Sequence, residues 1–189
     1  LNVSNPKNYE PFILVSVLLS LALVPILLTK RSTPKFKKIG TISVKELYKI
    51  SPLGTVSSFC TGIIHAAFFS LIAVYATKSN FTLFETSILL FIATTSGVIF
   101  QGPIGYFSDK FDRRKVIVIV TFLCAFFSFF AMIFAGSSLV NMYLSIELPV
   151  NKILFFLTVG LYAGLCLPLF SLNLAHTNDF VSKEKFVAA

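Results

Sequence analysis

The chain has 189 residues, 56% of them hydrophobic and 13% charged, with a mean hydropathy of +0.85 and a formal net charge of +8. A soluble domain carries roughly 45–50% apolar and about 25% charged residues, so this composition argues against a water-soluble enzyme or binding module. The basic excess does not mark a nucleic-acid binder either, because Lys and Arg stand in short blocks beside long uncharged runs.

In chain order, Leu1 to Glu10 is polar and lacks the basic–apolar–small layout of a signal peptide. Five runs then reach the length of about 20 mostly apolar residues that a membrane helix needs. They are Pro11–Thr29, Leu53–Thr77, Thr86–Phe107, Val116–Ser137 and Lys152–Leu174, and none has an internal Asp, Glu, Lys or Arg. An apolar segment in lipid must satisfy its own backbone hydrogen bonds, and the alternation of a membrane β-strand is absent. The expected fold class is therefore all-α integral membrane, a multi-spanning helical bundle.

Between the first two runs, residues 30–52 form the longest polar connection, with Pro34 and Gly40 in its middle. Thr41–Tyr48 is expected to form a short surface helix with Ile42, Leu47 and Tyr48 towards lipid. The connector reads as a solvated cytoplasmic loop, with a contact for anionic lipid or a partner as the alternative. Cys60, Cys124 and Cys166 fall inside apolar runs without metal-ligand spacing and predict no disulfide framework.

Lys30, Arg31, Lys35, Lys37, Lys38, Lys45 and Lys49 lie in the first connector, Lys110, Arg113, Arg114 and Lys115 in the third, and Lys183 and Lys185 after the fifth run. Only Lys7, Lys78 and Lys152 fall on the other side. Basic loops stay inside, so 30–52, 108–115 and 175–185 are expected to be cytoplasmic and Leu1–Glu10 external.

The third connector is entered through Gly102-Pro103-Ile104-Gly105 and reads on through Ser108-Asp109-Lys110-Phe111-Asp112-Arg113-Arg114-Lys115. It resembles the signature loop of the major facilitator superfamily, with Gly105, Asp109, Lys110, Arg113 and Arg114 matching in type and spacing. Asp112 stands where the family usually has Gly, and Asp tolerates left-handed backbone better than most residues. Gly105 is expected to let two helices approach closely. Asp109 is expected to accept hydrogen bonds from a neighbouring helix N-terminus and from Arg113. Gln101, Pro103, Ile104 and Gly105, with Ala175-His176-Thr177-Asn178-Asp179, resemble bacterial members of the family, which implies a bacterial plasma (inner) membrane protein.

In that family the signature loop follows the second helix of each six-helix half, whereas here it follows the third span. The resemblance therefore implies that 1–29 holds the last helix of the amino-terminal half and 30–52 the basic central loop. Residues 53–189 would then supply the first four helices of the carboxy-terminal half and the start of the next, about five of twelve helices in all. Leu1 in place of Met, and Val187-Ala188-Ala189 at the onset of an apolar segment, fit the expectation of a piece of a longer chain. Ser182 is the expected N-cap of that next helix, with Glu184 in its first turn.

The resemblance also implies a solute site near mid-membrane between the halves, lined by the second and fifth spans. His65 sits halfway along the second span, with Phe69 and Ile72 at helical spacing on its face. An intramembrane ionisable residue is a candidate for substrate or proton binding, against the plainer role of a hydrogen bond to a neighbouring helix. Tyr162 and Asn173 are the polar candidates on the fifth span, whose Pro168 invites a kink and whose Gly160 and Gly164 read as helix packing. Gln101 is a candidate gate. No span holds Asp or Glu, which leaves His65 as the candidate proton carrier.

The expected function is secondary active transport of a small solute by alternating access, proton-coupled uptake or efflux, without enzymatic activity. Asp109, Arg113 and the helix start after Ser182 would form a cytoplasmic latch. Expected partners are the solute, the lipid bilayer and protons, with no nucleic acid, cofactor or metal, and a monomer when full length. A transport-inactive receptor or scaffold on the same fold is one rival; an enzyme built on His176 and Asp179 is the other.

Overall fold

The computed structural model describes residues 9–28, 43–136 and 151–181. The chain divides into two compact units, Leu1–Lys38 and Ile39–Ala189. In the first, α1 runs over Glu10–Leu27, and the hydroxyls of Ser16 and Ser20 donate to the carbonyls of Phe12 and Ser16 at 2.9 Å. Folding back in this way carries a hydroxyl within an apolar helix without leaving it unpaired. The apolar stretch Glu10–Pro25 is shorter than the long helices of the second unit. The expected end of this span at Thr29 lies outside the described residues.

The second unit begins with the short α2 (Val44–Ile50), followed by α3 (Pro52–Lys78), α4 (Leu83–Lys110), α5 (Arg113–Phe134) and α6 (Lys152–Asn178). The last four are long and apolar enough to cross a membrane. At 1.5 Å per residue, the 27 residues of α3 or α6 extend for about 40 Å, more than the roughly 30 Å hydrocarbon core.

Caps set the boundaries. Ser43 accepts from the Glu46 N–H at 3.2 Å to start α2, somewhat later than the surface helix expected from Thr41. Thr82 and Glu85 form a reciprocal capping box at the start of α4, and the Asn151 side chain accepts from Leu154 N–H at α6. After α3, Asn80 takes a left-handed φ of 55°, so that Phe81 N–H reaches the Ala76 carbonyl at 2.9 Å and Asn80 N–H the Thr77 carbonyl at 3.2 Å. This is the paired closure that satisfies a helix's last carbonyls.

Helix α6 is the centre of the unit. In its apolar window 56% of the residues are buried, against 17% in α3 and α4 and 22% in α5, and all three pack on it. The contact with α4 is close because α6 offers glycines there. A Cβ added to Gly160 would lie 2.8 Å from Ile92 Cγ2, and one on Gly164 would lie 2.9 Å from Phe100 Cδ2. From the other side, a Cβ on Gly97 would stand 2.5 Å from Leu167 Cδ1. Small residues are what let membrane helices gain dispersion contacts where lipid removes the hydrophobic drive. The packing role expected of Gly160 and Gly164 is thus observed. Pro168 lies within a helix that continues to Asn178.

Two cores flank this seam. One joins Ile104, Val116, Val120, Leu165 and Leu169 on α4, α5 and α6 towards the basic turn. The other joins Ile72, Phe81, Leu89, Phe155 and Val159 towards the opposite end. The three cysteines are free thiols, with Cys124 and Cys166 buried and Cys60 exposed.

Candidate functional site

The basic turn between α4 and α5 is built from the N-cap of α5. Asp112 accepts from the Arg114 N–H at 2.9 Å with φ −57° and ψ 116°. The position usually held by Gly therefore needs no left-handed backbone; its side chain starts the next helix instead. This corrects two expectations, since the helix N-terminus is capped by Asp112 and not by Asp109.

Arg113, one residue into α5, forks between two carboxylates. Its Nη2 lies 2.9 Å from Asp109 Oδ1 at the end of α4, and its Nη1 3.1 Å from Asp179 Oδ1 just past α6. The side chains of Asp109 and Asp179 are 76% and 50% exposed and that of Arg113 is 21% exposed, so the network is wet. Exposed pairs contribute about 0.2–1 kcal/mol each, enough to bias an equilibrium but not to hold the bundle together. Lys110 and Arg114 lie against rings, Lys110 Nζ at 5.7 Å from the Tyr106 centroid and Arg114 Cζ at 5.5 Å from that of Phe180. The expected latch partner after Ser182 lies outside the described residues. The structure supplies Asp179, which sequence reasoning had placed with His176 as a metal candidate. Among the described residues no three His, Cys, Asp or Glu side chains group as a metal site.

A cleft of about 300 Å³ between α4 and α6 unites Gln101, Gly105 and Asp109 with Pro168 and Ser171. A Cβ on Gly105 would meet no described atom within 4 Å. Among the described residues no neighbouring helix packs that closely on Gly105, which lines the cleft.

The mid-membrane candidates divide. The Nε2 of His65 is 3.0 Å from the Cys166 carbonyl oxygen. A carbonyl can only accept, so Nε2 is the donor in this contact. Asn173, 1% exposed, donates from Nδ2 to Thr61 Oγ1 at 3.0 Å, leaving Oδ1 unpartnered. Both side chains thus bridge α3 to α6. Tyr162 accepts a 3.7 Å contact from the Cys166 thiol and packs on Phe68, with ring centroids 5.4 Å apart. It lines a cavity of about 360 Å³ with Phe68, Tyr75, Ser128 and Phe155. Phe69, the expected neighbour of His65, is 43% exposed and outside this cavity; Phe68 takes the place.

Four long apolar helices, three of them joined at a basic turn whose charges meet end to end, define an integral membrane protein of the helical-bundle class. The profile of the Major Facilitator Superfamily matches residues 9–186, and the chain belongs to that family of membrane transporters. It is 22% identical over 111 residues to the uncharacterized MFS-type transporter YcaD of Escherichia fergusonii, covering 58% of this chain and 29% of the relative. It is 28% identical over 95 residues to the uncharacterized MFS-type transporter YfkF of Bacillus subtilis, covering 49% of this chain and 24% of the relative. The matches thus span under a third of either relative's length. No solved structure matches the chain.

Proposed function

We propose that the chain is part of a secondary active transporter that moves a small solute across a bacterial plasma membrane by alternating access. The observation that carries the reading is the Asp109–Arg113–Asp179 network, which joins the ends of α4, α5 and α6 through the signature turn. On this reading the basic end is cytoplasmic, and the network is a latch made in one conformation and released in the other. A latch of about 1 kcal/mol changes a two-state ratio roughly fivefold, which suits states separated by a few kcal/mol.

The matched family and the place of the signature turn support a register in which α1 closes the amino-terminal half, and α3–α6 open the carboxy-terminal half of a monomer. The solute would then pass between the halves, with Tyr162 and its aromatic cavity on one side and Gln101 as part of a cytoplasmic gate. His65, held at Nε2 by the Cys166 carbonyl and set midway along α3, is the proposed proton carrier.

The test uses the full-length protein in proteoliposomes, with labelled amino acids, sugars and organic cations offered against an imposed pH gradient. Accumulation of one class, lost when the gradient is collapsed, is the expected result. Arg113→Gln should lower the initial rate about twofold to tenfold with insertion unchanged. A full-length protein that accumulates no solute, or modification of Lys110–Lys115 from outside intact cells, would falsify the reading.

A further inference from the structure

We propose that the junction of α2 and α3, closed by the start of α5 and the end of α6, is a binding site for a phosphate group. It is a pocket of about 290 Å³, lined by Ser51, Leu53, Arg114, His176 and Phe180. At roughly 30 Å³ per water it has room for a phosphate ester with several waters. It shares no lining residue with the cleft beside Asp109, and nothing in it depends on which solute is carried.

Donors line this pocket, and the carboxylates of Asp112 and Asp179, though close enough to act on His176, are not part of its lining. Ser51 is among its lining residues, is 3% exposed, and its buried hydroxyl has no hydrogen-bond partner. A buried hydroxyl left unpaired costs on the order of 1–3 kcal/mol, which a ligand oxygen would recover. Ser51 also precedes a 27-residue helix that no side chain caps. Pro52 at its first position has no N–H, so the N–H groups of Leu53 and Gly54 are the first free donors of that N-terminus. Arg114 stands opposite, its guanidinium over the Phe180 ring, and it pairs with no carboxylate among the described residues because Arg113 takes both Asp109 and Asp179. The His176 imidazole, 3% exposed, completes the wall.

A guanidinium fork on α5, facing the N-terminus of α3 with its flanking Ser51 hydroxyl, suits a tetrahedral anion with several acceptor oxygens better than a planar carboxylate. The group could come from an anionic phospholipid of the adjoining leaflet or from free phosphate. Either would tie the basic connector, through α2, to the ends of α5 and α6.

The experiment takes full-length protein, stripped of lipid in maltoside micelles, and titrates inorganic phosphate or phosphatidylglycerol, with chloride at matched ionic strength as control. Binding is read by native mass spectrometry and by the shift in thermal unfolding. Wild-type protein should retain one or the other above the chloride control; phosphatidylglycerol alone assigns a lipid headgroup, and inorganic phosphate assigns the free anion. Arg114→Gln should weaken retention roughly tenfold and the smaller change Ser51→Ala several-fold. Lys78→Gln, at the far end of α3, should leave it unchanged. The proposal is overturned if neither probe binds, if Ser51→Ala binds as wild type does, or if Lys78→Gln weakens binding as much as Arg114→Gln.

Discussion

At the end of the bundle away from the basic turn, the Phe81 ring is buried among Tyr75, Phe155 and Phe156. There the Tyr75 hydroxyl donates to the Ala135 carbonyl at 2.9 Å, and Lys152 lies 2.6 Å from Glu85 and over the Phe81 ring. At the basic end, the helix ends meet through one arginine between two well-exposed carboxylates. Interdigitated rings resist separation because every atom moved loses contacts, whereas a wet ion pair exchanges its partner for water at little cost. Within this bundle the aromatic end is the harder to part, and the ion-paired end the easier.

Four substitutions sharpen or break this contrast. The largest effect is expected from Gly164→Leu, which drives a side chain into Phe100 along the seam common to both ends. It should destabilise the bundle by about 1–3 kcal/mol, seen as loss of monodisperse protein after mild heating. Tyr75→Phe removes only the hydroxyl bond to Ala135 and should cost about 0.5–1.5 kcal/mol of thermal stability, with no change in how readily the basic end opens. Arg113→Gln should do the reverse. Thermal stability should stay within about 1 kcal/mol of wild type, while reactivity of a cysteine placed at Ser108 rises about twofold to tenfold as the end opens. Asp179→Asn breaks one branch of the fork and should give a smaller rise in the same assay. Equal melting-temperature losses for Tyr75→Phe and Arg113→Gln would erase the distinction between the ends.

The helices were legible in the sequence because uncharged runs and basic turns alternate; their ends were less so. Apolar patterning started the fourth helix at Thr86 and stopped it at Phe107, but Glu85 belongs to a capping box and Ser108 to Lys110 complete the last turn. The fifth span likewise continues through Ala175-His176-Thr177-Asn178. A hydropathy edge marks where lipid ends, while a helix continues until a cap stops it. Faces were harder still. Helices α3, α4 and α6 are apolar nearly all round, so nothing in their patterning chose Phe68 over Phe69 as the neighbour of Tyr162. Asp179 was missed as the partner of Arg113 because the two lie 66 residues apart and meet only once α5 and α6 pack. The Asp109–Arg113 pair, four apart across a short turn, could be read directly.

The central place of α6 has a further consequence. A rod gripped on three flanks cannot tilt alone without tearing dense seams on each, so the lengths of α3 to α6 between their ends should move together. Spin labels placed mid-length on two of these helices should report one fixed separation even where the basic ends part. Whatever larger shape change the proposed transport entails must be sought at the outer faces of these four helices.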